Sequence, residues 1–532
     1  MSARLSLSVP VRVSVPLRAP ARSSRALDLV RAALAGVLLD VGFPGVSVWP
    51  ATLLGVAVLM TLLRGRTIRA GAVLGAVTGT VFYLTHVAWT SEYLGPVPWL
   101  ALSLLEAAFF AVGAGAISGL WSLIERFWPT RLGRLILLPV GVAGVWVGRE
   151  VVAGSWPYGG FAWGRLAYSQ SESPLAPVIA WVGVSGFSFV VVACIVFLLQ
   201  LQQWLPDRPA VLALAATAVG AALVAVPVWE AVPSGQLRVT AVQGAGPAGY
   251  FDARDPGELL DAQINATPRT AGVADVVLWP ENSMDEDPLT SPATARRLSE
   301  LAAELQAPVI VGSITTREGR YYNSSLVWTP DGAAGLYDKK HPVPFGEYVP
   351  DRAFWSRLAP DLIGLVQRDY EIGALSPAVA VAGTIAGVSL CFDIVDDRLF
   401  DEMIAGGAQV IFAQTNNADF GRTDESAQQL AIARVRAIET GRTIVNVSTV
   451  GQSQTILPDG STGARIPAFT PGAFTDTVPL VAAVTPAMSL RTALAGGITL
   501  SVLAPVLTAA VLTLSGIRRP ASSRRQRTSG GD

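Results

Sequence analysis

The chain has 532 residues, of which 51% are hydrophobic and only 15% charged, with a formal net charge of -1. A mean hydropathy of +0.45 argues against a soluble protein and for a chain that crosses a membrane several times. No concentrated basic surface is available for nucleic-acid phosphates, so no nucleic-acid partner is expected.

Residues 1–25 carry Arg4, Arg12, Arg18, Arg22 and Arg25 with no acid and no long apolar core, which predicts a disordered basic cytosolic tail rather than a cleavable signal. Residues 26–234 predict a seven-helix transmembrane domain. The apolar run Leu29 to Leu63, broken by Asp40 and the turn Gly42-Phe-Pro-Gly45, reads as two spans in a hairpin. Ala70 to Trp89, Val97 to Leu123, Leu135 to Gly148, Leu175 to Leu199 and Ala210 to Val228 supply five more. An eighth, Thr492 to Leu514, lies within residues 489–516, and residues 517–532 form a second basic cytosolic tail.

Short cytosolic loops collect positive charge. Arg64, Arg66 and Arg69, then Arg126, Arg131 and Arg134, then the tail arginines Arg518, Arg519, Arg524, Arg525 and Arg527 all fall on one side of this map. Both termini are therefore expected in the cytosol, and residues 235–488 outside. Trp89, Trp99, Trp128, Trp204 and Trp229 stand near span ends and read as interface anchors. His86 reads as a hydrogen bonder between helices. Glu106 lies inside a span, where it either pairs structurally or meets a lipid headgroup or substrate.

The outer region has the pattern of an α/β domain. Leu237 to Val242, Val276 to Trp279, Pro308 to Val311, Ile385 to Cys391 and Gln409 to Ala413 predict buried strands. Ala293 to Leu305 and Glu425 to Glu439 predict amphipathic helices that cover a sheet. The stretch Phe354-Trp355, Leu358, Leu362-Ile363, Leu365-Val366 is apolar at near-helical spacing, and it either dips into the outer leaflet or packs on the domain's own core.

Chemistry concentrates at three strand ends. In Val277-Leu-Trp-Pro-Glu281 an apolar strand runs into a carboxylate that can act as a general base or sit as a solvated turn acid. In Tyr337-Asp-Lys339-Lys340-His341 a lysine follows a strand-like segment, and its ammonium can stabilise an oxyanion or remain a solvated charge. In Val388-Ser-Leu-Cys391-Phe-Asp393 a thiol stands at the end of an apolar run, where it is either inert and buried or an attacking group. Cys194, the only other cysteine, lies in a membrane-length stretch, so no disulfide between the two is expected.

The segments Trp279-Pro-Glu281-Asn-Ser, Tyr337-Asp-Lys339-Lys-His341-Pro-Val-Pro-Phe-Gly-Glu347-Tyr-Val-Pro and Cys391-Phe-Asp393, in this order, resemble the carbon-nitrogen hydrolase (nitrilase) superfamily. With seven spans before and one after, the chain as a whole resembles the apolipoprotein N-acyltransferase family. The resemblance implies an αββα sandwich of nitrilase type, eight transmembrane helices, and Glu281 as general base, Lys339 as oxyanion stabiliser and Cys391 as nucleophile. It implies supporting roles for Glu347, Asp393, Asn323 and Asn416, and neither cofactor nor metal. The implied partners are a phospholipid acyl donor, a diacylglyceryl lipoprotein acceptor and the bilayer of a bacterial inner (plasma) membrane. Phe392 and Asp393 stand where many members have Tyr and Glu, and Asp419 where many carry an aromatic. A membrane-tethered amidase for a soluble amide and a catalytically silent lipid-binding scaffold are the alternative readings.

Overall fold

The computed structural model describes residues 24–514. The predicted basic tails, apart from Ser24 and Arg25, lie outside the described residues.

Among the described residues, five helices are long and apolar enough to cross a membrane: Ile68–His86, Pro96–Phe127, Gly133–Ala153, Ala176–Trp204 and Pro486–Leu514. The shorter apolar helices Trp49–Leu63 and Pro209–Val224 accompany them, and Arg25–Val41 packs on the first two helices that follow it. The tightest pairing is between Ile68–His86 and Pro96–Phe127. Gly71, Gly75 and Gly79 fall on one face at four-residue spacing, and a Cβ at Gly75 would stand 2.4 Å from that of Ala114. Without a hydrophobic force between helices in lipid, such a stripe lets the backbones approach closely.

Several helices exceed their predicted limits, two of them through charged residues. The predicted Leu135 to Gly148 segment continues to Ala153 because Arg149 and Glu150 are buried within the bundle, and the last helix begins at Pro486, with Arg491 paired to Glu439 and Asp401. His86 Nδ1 lies 3.2 Å from Asp40 Oδ1 of another helix, as its predicted role requires.

The α/β domain is built from twelve strands: β1 (Pro233–Gln243), β2 (Val276–Leu278), β3 (Val309–Arg317), β4 (Arg320–Thr329), β5 (Gly332–Asp338), β6 (Ala378–Val381), β7 (Thr384–Leu390), β8 (Val410–Thr415), β9 (Ile444–Ser448), β10 (Ser453–Ile456), β11 (Thr462–Ile466) and β12 (Gly472–Val481). They form two six-stranded sheets, ordered β12-β1-β2-β3-β4-β5 and β11-β10-β9-β8-β7-β6. Side chains alternate across each strand. Leu237, Val239, Ala241, Val276 and Leu278 of one sheet join Val388, Leu390, Val410 and Phe412 of the other in one core. Val242, Val277 and Trp279 face outward onto Leu298, Leu301 and Leu305 of the Pro292–Leu305 helix. Helices Asp397–Ala405 and Glu425–Thr440 cover the second sheet, which completes an αββα sandwich.

Glu425–Thr440 departs from the predicted amphipathic cover, for it is buried nearly all round. One face lies on β9 and the other on the membrane-type helices and their loops. Gln428 Oε1 accepts from Trp89 Nε1 at 3.1 Å and from Trp163 Nε1 at 2.7 Å, while its Nε2 donates to the carbonyl of His86 at 3.1 Å. Trp89 is thus a buried tie between the two parts of the chain, not the interface anchor predicted for it.

Arg436, fully buried, donates to the carbonyls of Ile394 (3.0 Å) and Val395 (2.7 Å) and to Glu439 (2.6 Å). Arg165 of the loop before Ala176–Trp204 reaches Asp397 at 2.8 Å, and Arg491 reaches Glu439 at 2.9 Å. The break in the helix at Gly183, φ 72°, turns the Val184 N–H onto Glu439 Oε1 at 3.1 Å. Buried charges persist only when paired and hydrogen-bonded. This network links the helical bundle to the turn that carries Cys391.

Candidate active site

Glu281 follows β2 across Trp279 and Pro280. The Trp279 carbonyl accepts from Gln414 Nε2 at 2.7 Å, and Asn282 takes a left-handed backbone, φ 48°. On β3, Gly312 lies so close that an added Cβ would stand 2.5 Å from the Pro280 oxygen. The chain is held turned inward, and Glu281 is 2% exposed rather than a solvated turn acid.

Its partners come from β4 and the end of β5. Glu281 Oε1 accepts from Asn323 Nδ2 at 2.8 Å and from Lys339 Nζ at 2.9 Å. Lys339 Nζ also lies 2.9 Å from Glu347 Oε2, and Asn323 Nδ2 donates to Glu347 Oε1 at 2.8 Å. Glu347 is fixed in turn by the Val343 N–H at 2.7 Å. One ammonium therefore serves two carboxylates. Burial works against the Lys339 charge, but Glu281 and Glu347 hold its pKa well above the ordinary lysine range. Burial raises the pKa of Glu281, and Lys339 opposes that rise.

β7 ends at Leu390, one residue before the predicted strand end. Cys391 opens a single 3-10 turn, Cys391–Val395, with φ 48°. A non-glycine residue in that region is strained by about 1 kcal/mol or more. Asp393, fully buried behind it, braces the turn. Its Oδ2 accepts from Tyr337 Oη (2.7 Å) and the Leu390 N–H (3.2 Å), and its Oδ1 from the His341 N–H (2.9 Å). Burial, then the charge of Glu281, pushes the Cys391 thiol well above its ordinary pKa, against the pull of Lys339. The thiol is protonated at neutral pH, so attack requires a base that removes its proton in the same step.

His341 is bound on both ring nitrogens, Nε2 at 2.8 Å from Asp396 and Nδ1 at 3.3 Å from Asp393. Burial disfavours its charge, but these carboxylates push its pKa up to about 9. A pKa raised in the fold gives stability that is fully present below about 6.5 and is lost as pH rises through about 9. The apparent melting temperature of the wild type is expected to fall over that interval, and that of His341→Gln to fall less, as followed by scanning fluorimetry.

The cluster opens onto a cavity of about 1110 Å³ lined by Glu281, Lys339, Glu347 and Cys391. One wall comes from membrane-type helices, including Ala101, Leu102 and Leu105, and another from Trp355, Leu358 and Leu362. The volume is at the upper end of small-molecule sites, which run to about 1,000 Å³, and both of these walls are largely apolar. The stretch from Phe354 onward is packed in part on the domain and exposed in part. Trp355, Ile363 and Val366 pack with Val349 and Phe345, while Phe354 and Leu358 are 61% and 68% exposed. Glu106, buried in its helix, reaches the same cavity.

Glu281, Lys339, Glu347 and Asn323 thus form one hydrogen-bonded group, with Cys391 on the same cavity and Asp393 behind it. Asn416 is placed differently. It bonds the Ala248 carbonyl at 2.9 Å and Thr449 at 2.8 Å, and so ties loops at the rim rather than touching the lysine-carboxylate group. Phe392 stacks against Phe161 (ring centroids 5.9 Å apart) and Trp163 (6.3 Å). Asp419 accepts the Tyr250 N–H at 2.7 Å, and burial pushes its pKa to about 6. Two polar residues on or beside the cavity lie outside the predicted site, Glu425 and Gln429, the latter with its Nε2 3.5 Å from Cys391 Sγ, and Asn417 donates to both. The signal available was polar side chains at positions 425, 428 and 429, on one face of a helix expected to be apolar toward the sheet.

The sandwich is that of the carbon-nitrogen hydrolases, whose family model matches residues 196–485. A model of the apolipoprotein N-acyltransferase N-terminal domain matches residues 35–197. The chain belongs to the apolipoprotein N-acyltransferase family. It is 31% identical over 486 residues to the apolipoprotein N-acyltransferase of Mycolicibacterium smegmatis, covering 85% of this chain and 80% of that one. It is 27% identical over 472 residues to that of Geobacter metallireducens, covering 83% and 87%. Among solved structures, a CN-hydrolase superfamily protein from Xanthomonas campestris aligns with 50% of this chain and 96% of its own, at 20% identity and a TM-score of 0.37.

Proposed function

We propose that this protein is a membrane acyltransferase that moves an acyl chain from a phospholipid to the α-amino group of a lipoprotein's N-terminal diacylglyceryl-cysteine. The observation that carries the reading is the cavity, where buried Glu281 and Lys339 and the half-buried Cys391 share one space with membrane-type helices. A soluble amide would have no use for those walls.

Glu281 takes the thiol proton as Cys391 Sγ attacks the ester carbonyl, and Lys339 Nζ faces the developing oxyanion. Collapse of the tetrahedral intermediate breaks the ester C–O bond, and Glu281 returns the proton to the departing lysophospholipid. The acyl group remains as a thioester on Cys391. The amine of the acceptor then attacks, the C–S bond breaks, and an amide leaves. Glu347 and Asn323 hold Lys339 and Glu281 in register, and Asp393 holds the turn of Cys391. Asn416 supports the rim of the cavity.

The arrangement of the chain supports the matching topology. Residues 26–234 and 489–516 would supply eight spans, residues 235–488 the catalytic domain, and residues 1–25 and 517–532 the cytosolic tails. The loops that touch the α/β domain, those of Trp89, Tyr93, Trp163 and Arg165, lie at the opposite ends of the helices from Arg64, Arg66, Arg69, Arg126, Arg131 and Arg134. Under the positive-inside rule the domain then faces away from the cytosol of a bacterial plasma membrane. Purified protein in phospholipid vesicles, incubated with a diacylglyceryl-cysteinyl peptide, is expected to add one acyl chain to the peptide amine. Hydrolysis of short amides with no peptide acylation would point to an amidase instead.

A further inference from the structure

The triad chemistry leaves two buried carboxylates on the cavity unused, Glu106 among the membrane-type helices and Glu425 in the α/β domain. Glu425 opens the Glu425–Thr440 helix and is 1% exposed. Its Oε2 accepts from Asn417 Nδ2 at 2.7 Å, and the same Nδ2 donates to Gln429 Oε1 at 2.7 Å. Gln429 Nε2 in turn lies 3.5 Å from Cys391 Sγ. Two amides thus join Glu425 to the thiol. The titratable groups around it are Glu281 and Cys391, and what acts on its charge is burial, Asn417 and Glu281, with no Arg or Lys among them. A buried carboxylate with no cation is costly unless it is protonated or a ligand brings the cation.

The second half-reaction brings one. An α-amine, with a pKa of about 8, arrives largely as an ammonium and must lose two protons to become an amide nitrogen. Glu281 accepts one of them, during attack. We infer that Glu425 receives the ammonium of the acceptor and takes its first proton, leaving the lone pair free to attack the thioester on Cys391. This rests on the function proposed above.

The protons balance. Glu425 rests as the acid at neutral pH; the arriving ammonium displaces that proton to solvent, and ammonium and Glu425 carboxylate then give amine and Glu425 carboxylic acid. The amine forms the C–N bond, its second proton passes to Glu281, the C–S bond breaks, and the Cys391 thiolate takes that proton back from Glu281. Glu425 is left as the carboxylic acid, its resting state. Burial pushes the Glu425 carboxyl to about 8, which matches an α-amine, and proton transfer between matched groups runs in either direction at little cost. A headgroup ammonium on the donor would be the same chemistry from another source. It is several bonds from the ester, however, and loses no proton in the reaction.

The full-length protein and Glu425→Gln would each be loaded from phosphatidylethanolamine or from phosphatidylglycerol, which has no amine, and the thioester followed by intact mass. It would then be discharged at pH 7 with a diacylglyceryl-cysteinyl peptide or with hydroxylamine, a nucleophile already unprotonated there. Discharge by the peptide is expected to slow about 100-fold, with discharge by hydroxylamine and loading from either lipid within about twofold. Unchanged peptide discharge, or equal slowing with hydroxylamine, overturns the proposal. Slower loading from phosphatidylethanolamine alone also overturns it and assigns Glu425 to the donor headgroup. A wild type that never loads sinks the underlying function together with this role, whereas normal loading without selective slowing sinks only the role. Glu425→Asp, which keeps the charge but draws it back by one methylene, is expected to show the same selective slowing if the Gln variant does not fold.

Discussion

Exchanging Lys339 for Met is expected to cost about a thousandfold in acyl transfer or more. An oxyanion donor alone is worth about 100- to 1,000-fold. Lys339 does more than donate. Its Nζ lies 2.9 Å from both Glu281 and Glu347, which are bridged by Asn323. Without the ammonium, two carboxylates share one buried site, and one of them must take a proton. Glu281 is the deeper of the two, at 3% side-chain exposure against 16% for Glu347, so it is the one that protonates. The base is then lost together with the oxyanion donor, and raising the pH through the assay range is expected to restore little. Initial rates of peptide acylation from pH 6 to 9 check this, and a Met variant within tenfold of wild type would contradict it.

Exchanging Glu281 for Gln is expected to cost about 100- to 10,000-fold at neutral pH, the span for a positioned general base, but with a different pH profile. Lys339 keeps its partner Glu347, so the fold should persist. The thiol loses the acceptor for its proton. It also loses the negative charge that, after burial, does most to raise its pKa, while Lys339 still lowers it. The thiolate therefore forms at lower pH than in the wild type. Activity of Glu281→Gln should climb steadily toward alkaline pH, and alkylation of Cys391 by iodoacetamide should climb with it. A flat profile would contradict the assignment of Glu281 as base.

The parts of the site that sequence reveals are those whose chemistry is local. Glu281, Lys339 and Cys391 each stand where an apolar strand ends, and a strand that stops at a functional group is visible within about six residues. Glu347 and Asn323 come with the same short segments. Asn416 also lies in such a segment, yet its bonds go to Ala248 and Thr449, a placement set by loops remote in sequence. The burial of the outer face of the Glu425–Thr440 helix is not legible in the sequence for a related reason. Its spacing shows one apolar and one polar face, and nothing local says that the polar face would be buried against Trp89 and Trp163. Strands β10 and β11 are not legible in the sequence because they carry little apolar signal. β11 reads Thr-Gly-Ala-Arg-Ile, and β12 owes its place to pairing with β1, about 235 residues earlier. The break between β7 and Cys391 depends on Asp393 and Tyr337, which meet only in the fold.

The most direct test is the intact mass of the purified protein before and after incubation with phospholipid, with Cys391→Ala as control. A gain of one acyl chain in the wild type, removed by hydroxylamine and absent from Cys391→Ala, is the expected result. Bound phospholipid with no covalent gain in the wild type, or the same gain in Cys391→Ala, would contradict a thioester on Cys391.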